Sequence, residues 1–168
     1  RHVEVQIVGD SHGTTIDLGT RECSVQRRYQ KLLEEAPAPN LAESTTTGLR
    51  ESAVRMAGSI GYDSTGTVEF VVDDETGDYF FLEMNTRLQV EHPVTEEITG
   101  LDLVELQLRV AGGGELGLSA GDITFNGHAV EARINAEDAT NGFVPQLGQI
   151  TALSVPAGVR WESGIEVG

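Results

Sequence analysis

Apolar and polar positions alternate from Val3 to Val8, which predicts a strand, and Asp10-Ser-His-Gly13 is a turn cluster leading into a second strand over Thr14 to Leu18. The propensities of Gln26 to Glu35 predict a short helix, closed off by Pro37 and Pro39. Leu49, Ala53, Met56, Ala57 and Ile60 recur at helical spacing, so a helix is expected from Leu49 to Ile60 with Gly61 as its stop. Thr67 to Val72 and Tyr79 to Met84 read as strands joined by Asp73-Asp-Glu-Thr-Gly-Asp78. Leu101 to Ala111 reads as a helix ending at Gly112-Gly-Gly114, a candidate domain boundary. Beyond it, Ala129 to Ile134 and Gln149 to Val155 read as strands.

The stretch Phe81 to Glu96 carries the most information. In an extended ribbon, residues two apart share a face. Glu83, Asn85, Arg87 and Gln89, followed by Glu91, would then line one face, while Leu82, Met84, Leu88 and Val90 line the other as a core-facing edge. Stability alone does not call for two carboxylates, two amides and a guanidinium on one ribbon.

Hairpin arithmetic adds to this. If the turn is symmetric about Thr76, opposed residues have numbers that sum to 152, and Glu69 faces Glu83. Val68, Phe70, Val72, Phe80, Leu82 and Met84 form the other face and are expected to be buried. Like charges directly opposite are destabilising on a sheet. Two readings fit. Either a cation sits between the glutamates, or they are solvated residues on an open sheet face. Oxygen-only ligands (Glu69, Glu83 and Asn85) favour Mg²⁺ or Mn²⁺ over zinc.

Composition narrows the partners. The 168 residues carry a net charge of −16, which argues against bulk binding to nucleic acid or to an anionic membrane. Ten arginines and the single Lys31 supply all the positive charge, and Arg21, Arg27, Arg28 and Lys31 cluster. Such a cluster suits a small anion such as phosphate or carboxylate, or else a solvated charged face. No run is long and apolar enough for a membrane span, and no Walker-type loop occurs. One cysteine, Cys23, fits a reducing compartment, and with no secretory leader visible a cytoplasmic location is expected. A start at Arg1, mid-strand by its alternation, suggests a piece of something longer.

Glu83-Met-Asn-Thr-Arg-Leu-Gln-Val-Glu-His-Pro-Val-Thr-Glu96 resembles the signature of biotin carboxylases, within the ATP-grasp superfamily. Arg1-His-Val-Glu-Val-Gln6, Arg21-Glu-Cys-Ser-Val-Gln-Arg-Arg-Tyr-Gln-Lys31, Glu34-Glu-Ala-Pro-Ala-Pro39 and Gly127 to Asp138 agree with it in the same order. The resemblance implies an α+β fold: the second half of an ATP-grasp domain, an antiparallel sheet with flanking helices, over residues 1–112. The start of a biotin carboxylase C-terminal domain would follow over 113–168. It also implies a ligase that carboxylates carrier-bound biotin with bicarbonate and ATP, by way of carboxyphosphate. By position, Glu69, Glu83 and Asn85 would hold Mg²⁺ or Mn²⁺, and His2, Gln26 and Tyr29 would meet the nucleotide. Lys31, Arg87, Gln89 and the Val90 backbone would hold bicarbonate. Glu91 would be the base, Arg87 a catalytic arginine, and Arg133 would stabilise the biotin enolate.

Tyr29 stands where the family more often has histidine. The glycine-rich lid and the lysines on the α- and β-phosphates would precede Arg1, so this stretch by itself is expected to be inactive. The expected partners are a biotin carboxyl carrier domain and a carboxyltransferase, with the whole enzyme a homodimer. The alternatives are another ATP-grasp ligase such as a carbamoyl-phosphate synthase, or a non-catalytic acidic domain that binds divalent cations.

Overall fold

The structure, a computed structural model, describes residues 1–168 and contains two compact units, Arg1–Arg133 and Ile134–Gly168. In the first, β1 (His2–Gly9), β2 (Thr15–Arg27), β3 (Gln30–Ala36), β4 (Thr65–Val72), β5 (Tyr79–Asn85) and β6 (Ala129–Ala132) form one sheet in the order β5-β4-β1-β2-β3-β6. All neighbours are antiparallel. Three helices accompany it: α1 (Glu43–Ser59), α2 (His92–Thr99) and α3 (Leu103–Ala111). The fold is α+β.

The period-two pattern of β1 sorts its two faces. Val3, Val5 and Ile7 join Val68, Phe70 and Val72 of β4 beneath Leu49, Ala53 and Ala57 of α1, all buried. His2, Glu4 and Gln6 point to the other face, and the latter two are wholly buried although polar. A bulge in the β1–β2 ladder falls between Val5 and Ile7, opposite Gly19 at φ +89°, where a Cβ would come within 2.7 Å of the Phe125 ring. Leu103, Leu106 and Val110 of α3 pack with Val8, Ile16 and Leu18 as a second cluster.

Several expectations from the sequence change. Residues 26–35 are a hairpin, not a helix. Arg28 and Tyr29 both have positive φ (51° and 66°), which suits the primed two-residue turn that matches strand twist, and Gln26 pairs Lys31 across it. Ladder pairing here overrides helix propensity. The first helix starts six residues earlier than its apolar spacing suggests, at Glu43 rather than Leu49. A run of β-branched threonines hides that first turn and a half, and buried Thr45 donates to the Gly77 carbonyl at 3.2 Å.

Phe81 to Glu96 is not one ribbon. Strand β5 ends at Asn85, opposite Thr67, and the chain then turns into α2, whose first turn carries Pro93. The β4–β5 register does oppose Glu69 to Glu83, but a bulge just beyond shifts later pairs, so Phe70 meets Phe81. The bulge leaves Leu82 unpaired and sets Phe80 opposite exposed Val71, on the face away from α1. Both are therefore exposed rather than buried, and Val90 in the following loop is exposed too. Residues 149–155 form no strand, since no strand pairs with them and the Ile150 carbonyl instead accepts from the Gly168 amide. The triple glycine lies inside the first unit, and Leu116 just after it is fully buried.

The second unit holds a two-residue ladder, β7 (Glu137–Asp138) with β8 (Val144–Pro145), around a turn in which the Asp138 side chain accepts from the backbone of Thr140 and Asn141. No helix of the protein is long and apolar enough to cross a membrane.

Candidate functional site

The polar face of the sheet gathers charges from five strands, and Lys31 sits at their centre. Its ammonium donates to Glu4 Oε2 at 2.5 Å, Glu91 Oε1 at 2.8 Å and Glu69 Oε1 at 3.0 Å. Those carboxylates come from β1, the residue preceding α2, and β4. Three anions around one cation need further positive charge, and Arg21 and Arg133 supply it. Arg21 is fully buried and donates to Glu4 Oε1 (2.5 Å), Gln6 Oε1 (2.6 Å), Thr95 Oγ1 (2.9 Å), Thr67 Oγ1 (3.1 Å) and Gln89 Oε1 (3.2 Å). Arg133 Nη2 reaches Glu91 Oε2 at 2.8 Å and its Nε reaches Glu34 Oε1 at 2.6 Å.

These contacts set the protonation states. Burial alone pushes the Glu91 carboxyl up, but the charge and hydrogen bond of Lys31, then Arg21, outweigh it and hold Glu91 below the usual carboxylate range. Burial likewise opposes ionisation of Glu69, yet the His2 hydrogen bond and the Lys31 charge bring it down to about 2. Burial pulls Lys31 down, and the Glu4 charge more than reverses that, so the ammonium stays charged. Lys31, Glu69 and Glu91 are thus held as ions.

A second arm runs along β1, β2 and β4. Gln26 Nε2 donates to His2 Nδ1 at 2.8 Å, which leaves His2 Nε2 to carry the proton toward Glu69 Oε2 at 2.5 Å. Glu69 Oε1 also accepts from Asn85 Nδ2 (2.8 Å) and Gln89 Nε2 (2.9 Å), and Asn85 Nδ2 lies 3.3 Å from Glu83 Oε1. Glu69, Glu83 and Asn85 thus converge. An amide half-turn would put Asn85 Oδ1 where Nδ2 stands, giving an oxygen-only set suited to a hard divalent cation. His2, Glu4 and Glu69 also bring ligand atoms within 4.8 Å of one another, but Lys31 already supplies the positive charge for two of them.

The structure therefore brings together Lys31, Glu69, Glu83, Asn85, Gln89, Glu91, Arg133, His2 and Gln26. Arg87 is exposed at the rim, with Nη2 3.4 Å from Asn85 Oδ1 and Nη1 3.2 Å from the Leu88 carbonyl. Val90 has an exposed side chain, so any role there belongs to its backbone. Tyr29 is 98% exposed at the tip of the β2–β3 turn, outside the ion cluster. The basic cluster read from sequence divides. Arg21 and Lys31 point into the site, while Arg28 is exposed at the turn. Sequence reasoning missed Glu4, Glu34 and the organising part of Arg21. The signal was present in His2, Glu4 and Gln6, three polar residues on one face of an otherwise apolar strand.

Residues 1–119 match the family described as carbamoyl-phosphate synthase L chain, ATP binding domain. The mitochondrial methylcrotonoyl-CoA carboxylase subunit alpha of Arabidopsis thaliana is 53% identical over 171 residues, covering 100% of this chain and 23% of the relative. Biotin carboxylase 2 of Bacillus subtilis is 55% identical over 167 residues, 98% of this chain and 37% of the relative. The biotin carboxylase domain dimer of Hydrogenobacter thermophilus 2-oxoglutarate carboxylase, in complex with MgADP, ADP and bicarbonate, superposes with a TM-score of 0.89 at 50% identity, over 94% of this chain and 35% of that one. Kluyveromyces lactis urea carboxylase gives 0.91 at 46% identity, over 95% and 14%. The chain thus spans well under half of the relatives it matches. It belongs to the carbamoyl-phosphate synthase L chain ATP-binding domain family, with an ATP-grasp fold, and is similar throughout its length to a segment of the biotin carboxylases.

Proposed function

We propose that this chain is the part of a biotin carboxylase that activates bicarbonate and steadies the biotin ring, acting within a longer ATP-dependent ligase. The observation that carries the reading is the bridging carboxylate at its centre: Glu91 held ionised between Lys31 and Arg133. A carboxylate poised this way can take the bicarbonate proton while Lys31 helps to hold the resulting anion. Lys31, Arg87, Gln89 and the Val90 amide would cradle bicarbonate. Its oxygen then attacks the γ-phosphorus of ATP, the bond to the β-phosphate oxygen breaks, and ADP leaves.

His2 and Gln26 would meet the nucleotide, with Tyr29 at the margin as a hydrogen-bonding phenol. Glu69, Glu83 and Asn85 would hold Mg²⁺ or Mn²⁺, which neutralises phosphate charge. Arg133 is the fixed cation for the enolate oxygen of biotin once the ureido nitrogen has lost its proton. In this reading residues 1–112 close the ATP-grasp domain and 113–168 open the next. The whole protein is a cytoplasmic homodimer that works with a biotin carrier domain and a carboxyltransferase. The carboxylases at 50% identity and above favour this over a carbamoyl-phosphate synthase.

Arg133→Ser in the full-length protein tests the assignment. Carboxylation of biotin should fall about 10²-fold or more, while slow bicarbonate-dependent ATP cleavage without biotin persists within about threefold. Equal loss of both, or of neither, would remove Arg133 from the biotin step.

A further inference from the structure

Behind Arg133 lies a pair of carboxyl groups that the reaction above does not use. Strands β3 and β6 bring Glu34 directly opposite Glu131. Glu34 is fully buried and gives one oxygen, Oε1, to Arg133 Nε. Its Oε2 is buried with no hydrogen-bond partner, and so is Oε2 of Glu131. Opposed residues on an antiparallel pair have Cβ atoms about 4.5–5.5 Å apart, close enough for two carboxyl groups to meet.

The surrounding charges leave Glu131 without a cation of its own. Arg133 is already shared between Glu34 and Glu91, and Arg21 is committed to Glu4 and its amide and hydroxyl neighbours. From α2, the groups packed against β3 and β6 are Val94 and Ile98, which join Ala36 and Ala129. The helix's titratable His92 faces Gln89 and Glu96, Glu96 accepts from the Leu103 amide, and Glu97 is exposed. Glu35, on the other face of β3, holds His128. Two facing carboxylates with one orphaned oxygen each are poorly stable when both are ionised. A proton on one of them removes the repulsion and turns an orphaned acceptor into a donor for the other. Burial, then the Glu34 charge, pushes Glu131 up to about 7 against the pull of Arg133.

We propose that Glu34 and Glu131 share one proton across the β3–β6 ladder and act as a positioning pair that fixes the Arg133 guanidinium against Glu91. Loss of that proton sets a second anion beside Glu34 and draws Arg133 away from Glu91. The Arg133-dependent step therefore slows as pH rises past about 7. The same proton makes the fold sensitive to pH. A carboxyl pKa raised on folding means that the native state binds the extra proton, so stability declines between the ordinary value of 4.5 and about 7.

Infrared difference spectra of the full-length protein, between about pH 6 and about pH 9, read the pair directly and need no turnover. A protonated-carboxyl band should vanish with a midpoint near 7 and be missing in Glu131→Gln, and in Glu34→Gln its midpoint should move to lower pH. The kinetic arm rests on the biotin carboxylase reading. Wild type should have an alkaline fall in the rate of biotin carboxylation that Glu131→Gln, with its permanent donor, lacks. A band unaffected by either substitution, or the same pH profile for wild type and Glu131→Gln, would overturn the proposal. The infrared arm decides the pair even if the protein proves not to carboxylate biotin.

Discussion

Glu91→Gln in the full-length protein is expected to lower bicarbonate-dependent ATP cleavage by about 10²- to 10⁴-fold, the range that goes with losing a general base. The amide fills the same space but cannot take a proton, and it brings no charge to Lys31 Nζ or Arg133 Nη2. Folding should survive the change, because Lys31 keeps Glu4 and Glu69, and Arg133 keeps Glu34. The KM for ATP should move by less than about threefold, since Glu69, Glu83 and Asn85 are untouched. Initial rates at saturating ATP and varied bicarbonate check this. A rate within about threefold of wild type would take the proton-accepting role away from Glu91.

The largest structural effect is expected at Arg21. Arg21→Met keeps an unbranched stem and removes the partner of Glu4, Gln6, Thr67, Gln89 and Thr95 together. Breaking a buried ion pair from one side costs about 3–5 kcal/mol, because the remaining charge stays buried without compensation. Chemical denaturation of the full-length protein should register that loss for the unit containing this sheet. Exposed Arg87→Met should stay within about 0.5 kcal/mol. A loss under about 1 kcal/mol at Arg21 would mean that Lys31 alone balances Glu4.

The contrast between these two arginines marks how far the sequence could be read. Strands β1 and β4 were legible because most of their apolar residues fall on one face, and β5 because a short turn connects it to β4. The Glu69–Glu83 opposition followed from counting around that turn. The β2–β3 hairpin was hidden because its turn residues, Arg28 and Tyr29, are not the Asn and Gly that usually announce positive φ. The fate of Phe80 and Leu82 was hidden too, since the bulge that breaks the alternation at Leu82 leaves no mark in the apolar pattern. Within the site, the motif residues from Glu83 to Glu91 stood out by their chemistry. Glu4, Arg21 and Glu34 did not, because each draws its meaning from partners more than a dozen positions away. Only the sheet order β4-β1-β2-β3-β6 brings those partners together.

The central claim is that this cluster makes bicarbonate the nucleophile toward ATP. It is tested most directly by running the full-length protein with ATP, Mg²⁺, biotin and bicarbonate labelled with oxygen-18, and weighing the inorganic phosphate released. Attack by a bicarbonate oxygen on the γ-phosphorus, followed by loss of the carboxyl group, leaves one labelled oxygen on each phosphate. Phosphate carrying one oxygen-18 per turnover is the predicted result. Phosphate whose new oxygen comes only from water would contradict it.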